Sequence, residues 1–234
     1  MLRRLYEALL DVLFPPVCAV CGVTLSDTSA YPVLCTECTA RIRVHETFSC
    51  ADCGARLPDA KKICHKDEPY ILAAATDYDS SVIQELIRLF KYERRTSIAP
   101  FLGGLLHTYL KNAGFNAGEY VVIPVPLHSS RERERGFNQA ELLAKEIGDR
   151  LKIEIETEAL IRVRAVPAQA KQKTWEARRK NMQGAFITSK DIAGKDILLV
   201  DDVTTSGSTL LEASQVLKSA GARRIIGLVV AKAG

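Results

Sequence analysis

The sequence predicts an α/β protein: a parallel sheet covered by helices on both faces, preceded by a small cysteine-rich domain. Three observations carry this. Short, nearly uninterrupted apolar runs such as "ILLV" (197–200) and "RRIIGLVVA" (223–231) alternate with longer segments of helical periodicity. That is how strands buried on both faces read when helices connect them. All seven cysteines lie between residues 18 and 64, and residues 65–234 hold none. At 234 residues the chain has room for one ordinary domain and a small one. The polar stretch "HKDEP" between Cys64 and Tyr70 marks the boundary, giving domains 1–68 and 69–234.

The first segment, "MLRRLYEALLDVLFPP", places Leu2, Leu5, Leu9, Val12 and Leu13 at helical spacing. It reads as a short amphipathic helix ended by Pro15 and Pro16. Glu7 and Asp11 interrupt its apolar face and no small-residue cleavage site follows, so it is not a secretion signal. No apolar run approaches the roughly 20 residues that span a bilayer. A cytoplasmic protein without membrane insertion is the expectation.

The cysteines follow as Cys18-x2-Cys21 and Cys35-x2-Cys38, then Cys50-x2-Cys53 and Cys64. Two thiolates two residues apart can hold one metal from a tight turn, and Gly22 and Gly54 each follow the second cysteine of a pair. Two such knuckles make a tetrahedral structural zinc site from Cys18, Cys21, Cys35 and Cys38. A second zinc site would use Cys50, Cys53 and Cys64 with His65 or Asp67 as the fourth ligand. The expected role is to staple a segment too small to build its own core. Disulfides would need an oxidising compartment.

Beyond residue 70 the elements come in order. "YILAAATDY" (70–78) is a short apolar strand. "SSVIQELIRLFKY" (80–92) sets Val82, Leu86, Leu89 and Phe90 on one helical face, with Asp79 or Ser80 as cap. Residues 98–114 form a helix ending at Gly114, and 119–125 a buried strand. Residues 137–151 form a helix, and 155–190 fit neither pattern cleanly. Strand 197–200, helix 208–221 and strand 224–231 complete the chain.

With 47% apolar and 26% charged residues, the composition is that of a globular protein. A net charge of +4 is too small to imply nucleic acid by itself. Its clustering says more: "RERERG" gathers Arg131, Arg133 and Arg135, and "EARRKN" gathers Arg178, Arg179 and Lys180.

In "ILLVDDVTTSGST" an apolar strand runs straight into Asp201 and Asp202. Ligands of open parallel sheets bind beyond the carboxyl ends of the strands. Thr204, Thr205, Ser206, Gly207, Ser208 and Thr209 make the turn into the next helix, where small residues and a helix N-terminus suit a phosphate. The acids would repel that phosphate, so they suit neutral hydroxyls or a divalent cation. A sugar phosphate satisfies both halves. The absence of a lysine after the glycine excludes the P-loop.

This stretch resembles the 5-phosphoribosyl-1-pyrophosphate (PRPP) motif of type I phosphoribosyltransferases. "VIPVPLHSSRERERGFNQAELLA" (122–144), with Arg135, Gly136, Phe137, Asn138 and Gln139, is similar to the ComF family of competence-associated proteins. "LFKYERR", "ARRKNMQGAF" (177–186) and the N-terminal zinc-ribbon segment fit it too, so the resemblance covers nearly the whole chain. It implies a type I phosphoribosyltransferase fold and a link to DNA uptake or use. By position, Asp201 and Asp202 would take the ribose hydroxyls and 204–209 the 5′-phosphate. Val125, Pro126 and Leu127, with Arg135, Asn138, Gln139 and Lys91, would lie on the pyrophosphate side. Arg131, Arg133 and Arg178 are further cations there, the first two equally readable as a solvated loop. Phe137 would begin a helix, and His107 and His128 are incidental. Mg²⁺ would accompany PRPP. Two functions follow: transfer of phosphoribose to a nitrogenous acceptor, or binding of single-stranded DNA or a nucleotide without turnover, either one alongside other DNA-uptake proteins.

Overall fold

The computed structural model describes residues 15–25, 33–60, 64–65, 67–165 and 181–233. The expected N-terminal helix and the Arg178–Lys180 cluster lie outside them.

Strands β1 (Phe48–Cys50) and β2 (Arg56–Leu57) form an antiparallel hairpin, preceded by the short helix α1 (Thr36–Ala40). Next come β3 (Ile71–Asp77), α2 (Ser81–Tyr92), a 3-10 turn (Thr96–Ile98), α3 (Ala99–Asn112) and β4 (Tyr120–Pro124). Helices α4 (Ser129–Arg135) and α5 (Gln139–Leu151) follow, then β5 (Leu160–Arg162) and β6 (Phe186–Thr188). The chain ends with β7 (Asp196–Thr204), α6 (Ser208–Ser219) and β8 (Arg224–Lys232).

The main sheet has six strands in the order β2-β1-β3-β8-β7-β4. β3, β8, β7 and β4 run parallel, with Leu72 opposite Gly227 and Val122 opposite Leu198. The β1–β2 hairpin adds an antiparallel edge, with Cys50 opposite Ile71. The metal segment therefore shares the sheet of the larger domain. β5 and β6 pair separately, Arg162 opposite Phe186, in the region the sequence left ambiguous.

Side chains along each strand alternate between two cores, as a period of two requires. Ala73, Val122, Leu198, Val200, Ile226 and Leu228 face one core, with α2, α3 and most of the buried face of α5. Leu72, Val121, Ile123, Ile197, Leu199 and Val229 face the other, with α6 and the β5–β6 hairpin. Cys18, Leu25, Leu34, Cys38 and Phe48 belong to the first core, and the Phe48 ring meets Tyr109 edge-on at 6.0 Å. The metal segment thus borrows the core that it cannot build alone.

Three sequence expectations change in detail. β7 is longer than 197–200, because hydrogen bonding to β8 continues through Asp201, Val203 and Thr204. Ser129–Arg135 is a helix, not a loop: the imidazole of His128 accepts from the Ser130 amide and so caps it. Phe137 precedes α5, whose cap is Asn138, and its ring packs on Phe90 at 5.6 Å. Ser80 takes the cap position of α2 without a side-chain bond.

Candidate functional site

The carboxyl ends of β4 and β7 open into a cavity with about 480 Å³ of open space. Asp201 and Asp202 line it from β7, and Thr209 reaches it from the first turn of α6. Val125, Pro126 and Leu127 line it after β4, and Lys91 from the end of α2. Arg131 and Arg135 come from α4, Asn138 and Gln139 from the start of α5, and Arg162 from β5. The sheet explains why these residues meet: parallel strands deliver all their carboxyl ends to one edge.

The two acids are held differently. Asp202 is 9% exposed and pairs with the Lys91 ammonium at 2.9 Å, itself 18% exposed. Burial works against the charge on Lys91, but Asp202 outweighs it and the ammonium pKa is raised. Asp201 has no such partner. Burial first, and the Asp202 carboxylate second, push its carboxyl up to about 7. One oxygen of each acid accepts the next backbone amide: Asp202 N–H donates to Asp201 Oδ1 at 2.8 Å and Val203 N–H to Asp202 Oδ1 at 2.6 Å. Burial and the neighbouring acid outweigh the pull of Lys91 and Arg162 on this carboxyl. Two adjacent hard-oxygen donors there fit a divalent cation or the hydroxyls of a diol.

The turn 204–209 continues from the acids. Thr204 is buried, its carbonyl accepting the Ala233 amide at 2.9 Å. The Ser206 and Ser208 hydroxyls lie 3.0 Å apart. Gly207 is left-handed, φ +70°, directly before α6, and a Cβ there would stand 3.1 Å from the Tyr70 hydroxyl. The amides of Ser208 and Thr209 open the helix, where no intrahelical acceptor reaches them. An anion is the natural occupant of that geometry. Thr205 is exposed beside it.

On the opposite wall several predicted contacts have structural work. Asn138 donates through Nδ2 to the Val125 carbonyl at 3.2 Å and accepts the Ala140 amide at 3.1 Å. It fastens the loop after β4 to α5. Gln139 accepts from Arg135 at 2.8 Å, while its Nε2 is buried with no acceptor. Arg135 also stacks over Tyr92, 5.8 Å to the ring centroid. Arg131 lines the cavity and Arg133 does not. His107 does not line it either.

Sequence reasoning missed Arg162. It stands on a three-residue strand in a stretch with no clear period. The alternation in "LIRVR" (160–164) was the available signal.

The cysteines gather as two metal-ligand groups: Cys18, Cys21, Cys35 and Cys38, and Cys50, Cys53, Cys64 and His65. Within each group the ligand atoms lie within 4.8 Å of one another. The knuckles match: Gly22 N–H donates to Cys18 O and Gly54 N–H to Cys50 O, with φ of +73° and +72°. Cys50 Sγ lies 3.4 Å from His65 Nδ1, so His65 completes the second group and Asp67 stays outside it. Thiolates and imidazole at this spacing fit structural zinc.

The phosphoribosyl transferase domain model matches residues 134–234, and the double zinc ribbon domain model matches residues 9–66. A DNA utilization protein of Escherichia coli, YhgH, is 31% identical over 219 residues, covering 90% of this chain and 94% of the relative. Competence protein F of Haemophilus influenzae is 30% identical, covering 82% and 87%. Competence protein ComFC of Bacillus subtilis is 30% identical, covering 88% and 79%. Among the described residues no helix is long and apolar enough to cross a membrane. Two ribbon-type cysteine groups leading into a phosphoribosyltransferase sheet, matched across both parts by these relatives, show that the chain belongs to the ComF family of competence-associated proteins.

Proposed function

We propose that this chain binds PRPP with Mg²⁺ and transfers its phosphoribosyl group to a nitrogenous acceptor, in a cytoplasmic setting linked to DNA uptake or use. One observation carries the reading. Asp201, Asp202 and Thr209 line the same cavity as Lys91, Arg131, Arg135 and Arg162. Acids for a diol, a helix start for a phosphate and a bank of cations for a leaving anion converge there.

The 5′-phosphate takes the amides and hydroxyls of 204–209. The ribose hydroxyls lie on Asp201 and Asp202, which also oppose positive charge developing at C1. Val125–Leu127 and the α4 cations face the departing pyrophosphate. Mg²⁺, when bound with PRPP, would supply neutralising charge for that leaving group, and Asp201 and Asp202 are the residues of this chain that would hold it. The rest of the rate comes from positioning, since the bond that breaks and the one that forms both lie in the ligands.

The test is calorimetric titration with PRPP and Mg²⁺, followed by pyrophosphate release across a panel of bases. Binding that disappears in the Asp201→Asn/Asp202→Asn double variant, while the fold persists, is expected. Unchanged affinity in that variant overturns the assignment.

A second reading, capture of single-stranded DNA or a nucleotide without turnover, rests on Tyr92. This side chain is 70% exposed beside Arg135. An exposed ring beside a guanidinium suits base stacking and phosphate contact. DNA affinity that falls steeply with salt and survives the double variant favours this reading.

A further inference from the structure

Among the described residues Arg162 is an arginine with no ion-paired anion. Its guanidinium lies over the Phe186 ring, 5.4 Å to the centroid, and donates to Met182 Sδ at 3.7 Å. Its Nε is buried and has no acceptor among the described residues. Among the described residues no carboxylate forms an ion pair with it. Burial lowers its pKa and Arg131 nearby lowers it further, while Asp201 raises it. Arg164, by contrast, donates to the carbonyls of Asn181 and Gln183.

A buried donor without an acceptor costs free energy, and a charged one costs more. Here two such donors, Arg162 Nε and Gln139 Nε2, belong to residues that line one cavity. That cavity sets four cations, Lys91, Arg131, Arg135 and Arg162, against two carboxylates. Lys91 is engaged by Asp202, which leaves Asp201 as the one remaining carboxylate of the cavity facing three arginines. Neither a single neutral hydroxyl nor a water matches three guanidinium groups. A compact group with several negative charges and many acceptor oxygens does.

We propose that Arg162 is a ligand of the pyrophosphoryl group, closing the pocket from the β5–β6 hairpin against the arginines of α4. This rests on the sugar-phosphate reading above, which already assigns the 5′-phosphate to 204–209. Arg162 therefore takes the anion attached at C1. It also gives the hairpin, which lies outside the main sheet, a role in the site.

The experiment compares three probes in the presence of Mg²⁺: PRPP, inorganic pyrophosphate and ribose 5-phosphate. Each is titrated calorimetrically into the zinc-loaded parent, Arg162→Gln and Arg162→Lys, with thermal melts as the control for folding. In Arg162→Gln, affinity for PRPP and pyrophosphate is expected to fall on the order of tenfold or more, while ribose 5-phosphate stays within about twofold. Arg162→Lys keeps the charge and recovers part of the loss. Unchanged PRPP and pyrophosphate affinity in Arg162→Gln overturns the proposal. So does an equal loss for ribose 5-phosphate, which would place Arg162 on the 5′-phosphate side. Should Arg162→Gln not fold, Arg162→Lys decides alone: weakened pyrophosphate binding with ribose 5-phosphate retained supports the assignment, and parental binding of both overturns it. A parent that binds neither PRPP nor ribose 5-phosphate refutes the sugar-phosphate reading, and the Arg162 assignment falls with it.

Discussion

Replacing Asp201 by Asn tests the electrostatics of the site with a sign that ordinary damage does not mimic. Burial, and then the Asp202 carboxylate beside it, raise the Asp201 carboxyl from 3.8 to about 7. Between those values the native state holds a proton that the unfolded chain has released, so this group lowers stability as pH rises. The loss is complete above about 7. Going from about pH 5.5 to about pH 8 crosses roughly 1.5 units of the interval, or about 2 kcal/mol at 1.36 kcal/mol per unit. Asparagine carries no such charge. The stability of Asp201→Asn relative to the parent is therefore expected to improve by about 2 kcal/mol across that range, whatever its starting offset. Urea unfolding of both zinc-loaded proteins at the two pH values measures the difference, and groups that titrate alike in both cancel. The same variant is expected to lose PRPP binding. A difference that stays flat, or moves against the variant as pH rises, refutes the claim that the Asp201 charge is unfavourable in the unliganded site.

Lys91→Met leaves Asp202 buried without its counter-ion and is expected to cost about 3–5 kcal/mol, with Asp202→Asn in the same chain restoring part of it; a double-mutant cycle by urea unfolding checks both. Gly207→Ala meets a left-handed φ and the Tyr70 hydroxyl at once. A loss on the order of 1–3 kcal/mol and weaker ribose 5-phosphate binding are expected, and adding Tyr70→Phe should relieve only the contact. Metal analysis of purified protein should find two zinc ions per chain, falling to one in His65→Ala, while Asp67→Ala keeps both. A zinc content unchanged by His65→Ala would return the fourth ligand to another residue.

The parallel sheet was legible because its strands are apolar on both faces, and "ILLV" and "RRIIGLVVA" cannot be half-exposed strands. The turn 204–209 was legible because its small residues are contiguous, running from the end of a strand into the first turn of a helix. Residues brought in from a distance were harder to see. That Lys91 would find Asp202 depends on α2 ending beside β7, which no local pattern encodes. Arg162 stands on a strand too short to show a period. The α4 helix was hidden by its composition: "SSRERER" has no apolar face to reveal a helical repeat, and buries nothing. Its cap is a histidine, outside the residues usually read as starts. The β1–β2 hairpin escaped notice for a related reason. Its strands are three and two residues long, and their cysteines read first as metal ligands.

That hairpin changes how the metal segment relates to the site. Cys50 is at once a ligand of the second group and the strand partner of Ile71 at the start of β3. The residue before Ile71 is Tyr70, buried against Gly227 of β8: a Cβ on that glycine would stand 2.9 Å from the Tyr70 ring. The far end of the same side chain reaches Gly207 in the turn 204–209. A close-packed interior transmits such contacts, because side chains of this kind have no void to relax into. The zinc ligands thus fix β1, β1 fixes the start of β3, and Tyr70 carries that position beneath 204–209. Under the proposed function that turn must hold several amides to within a fraction of an ångström of one anion, which needs support of this kind. On this geometry the second zinc group is a support for the turn 204–209 as well as a staple for its own segment.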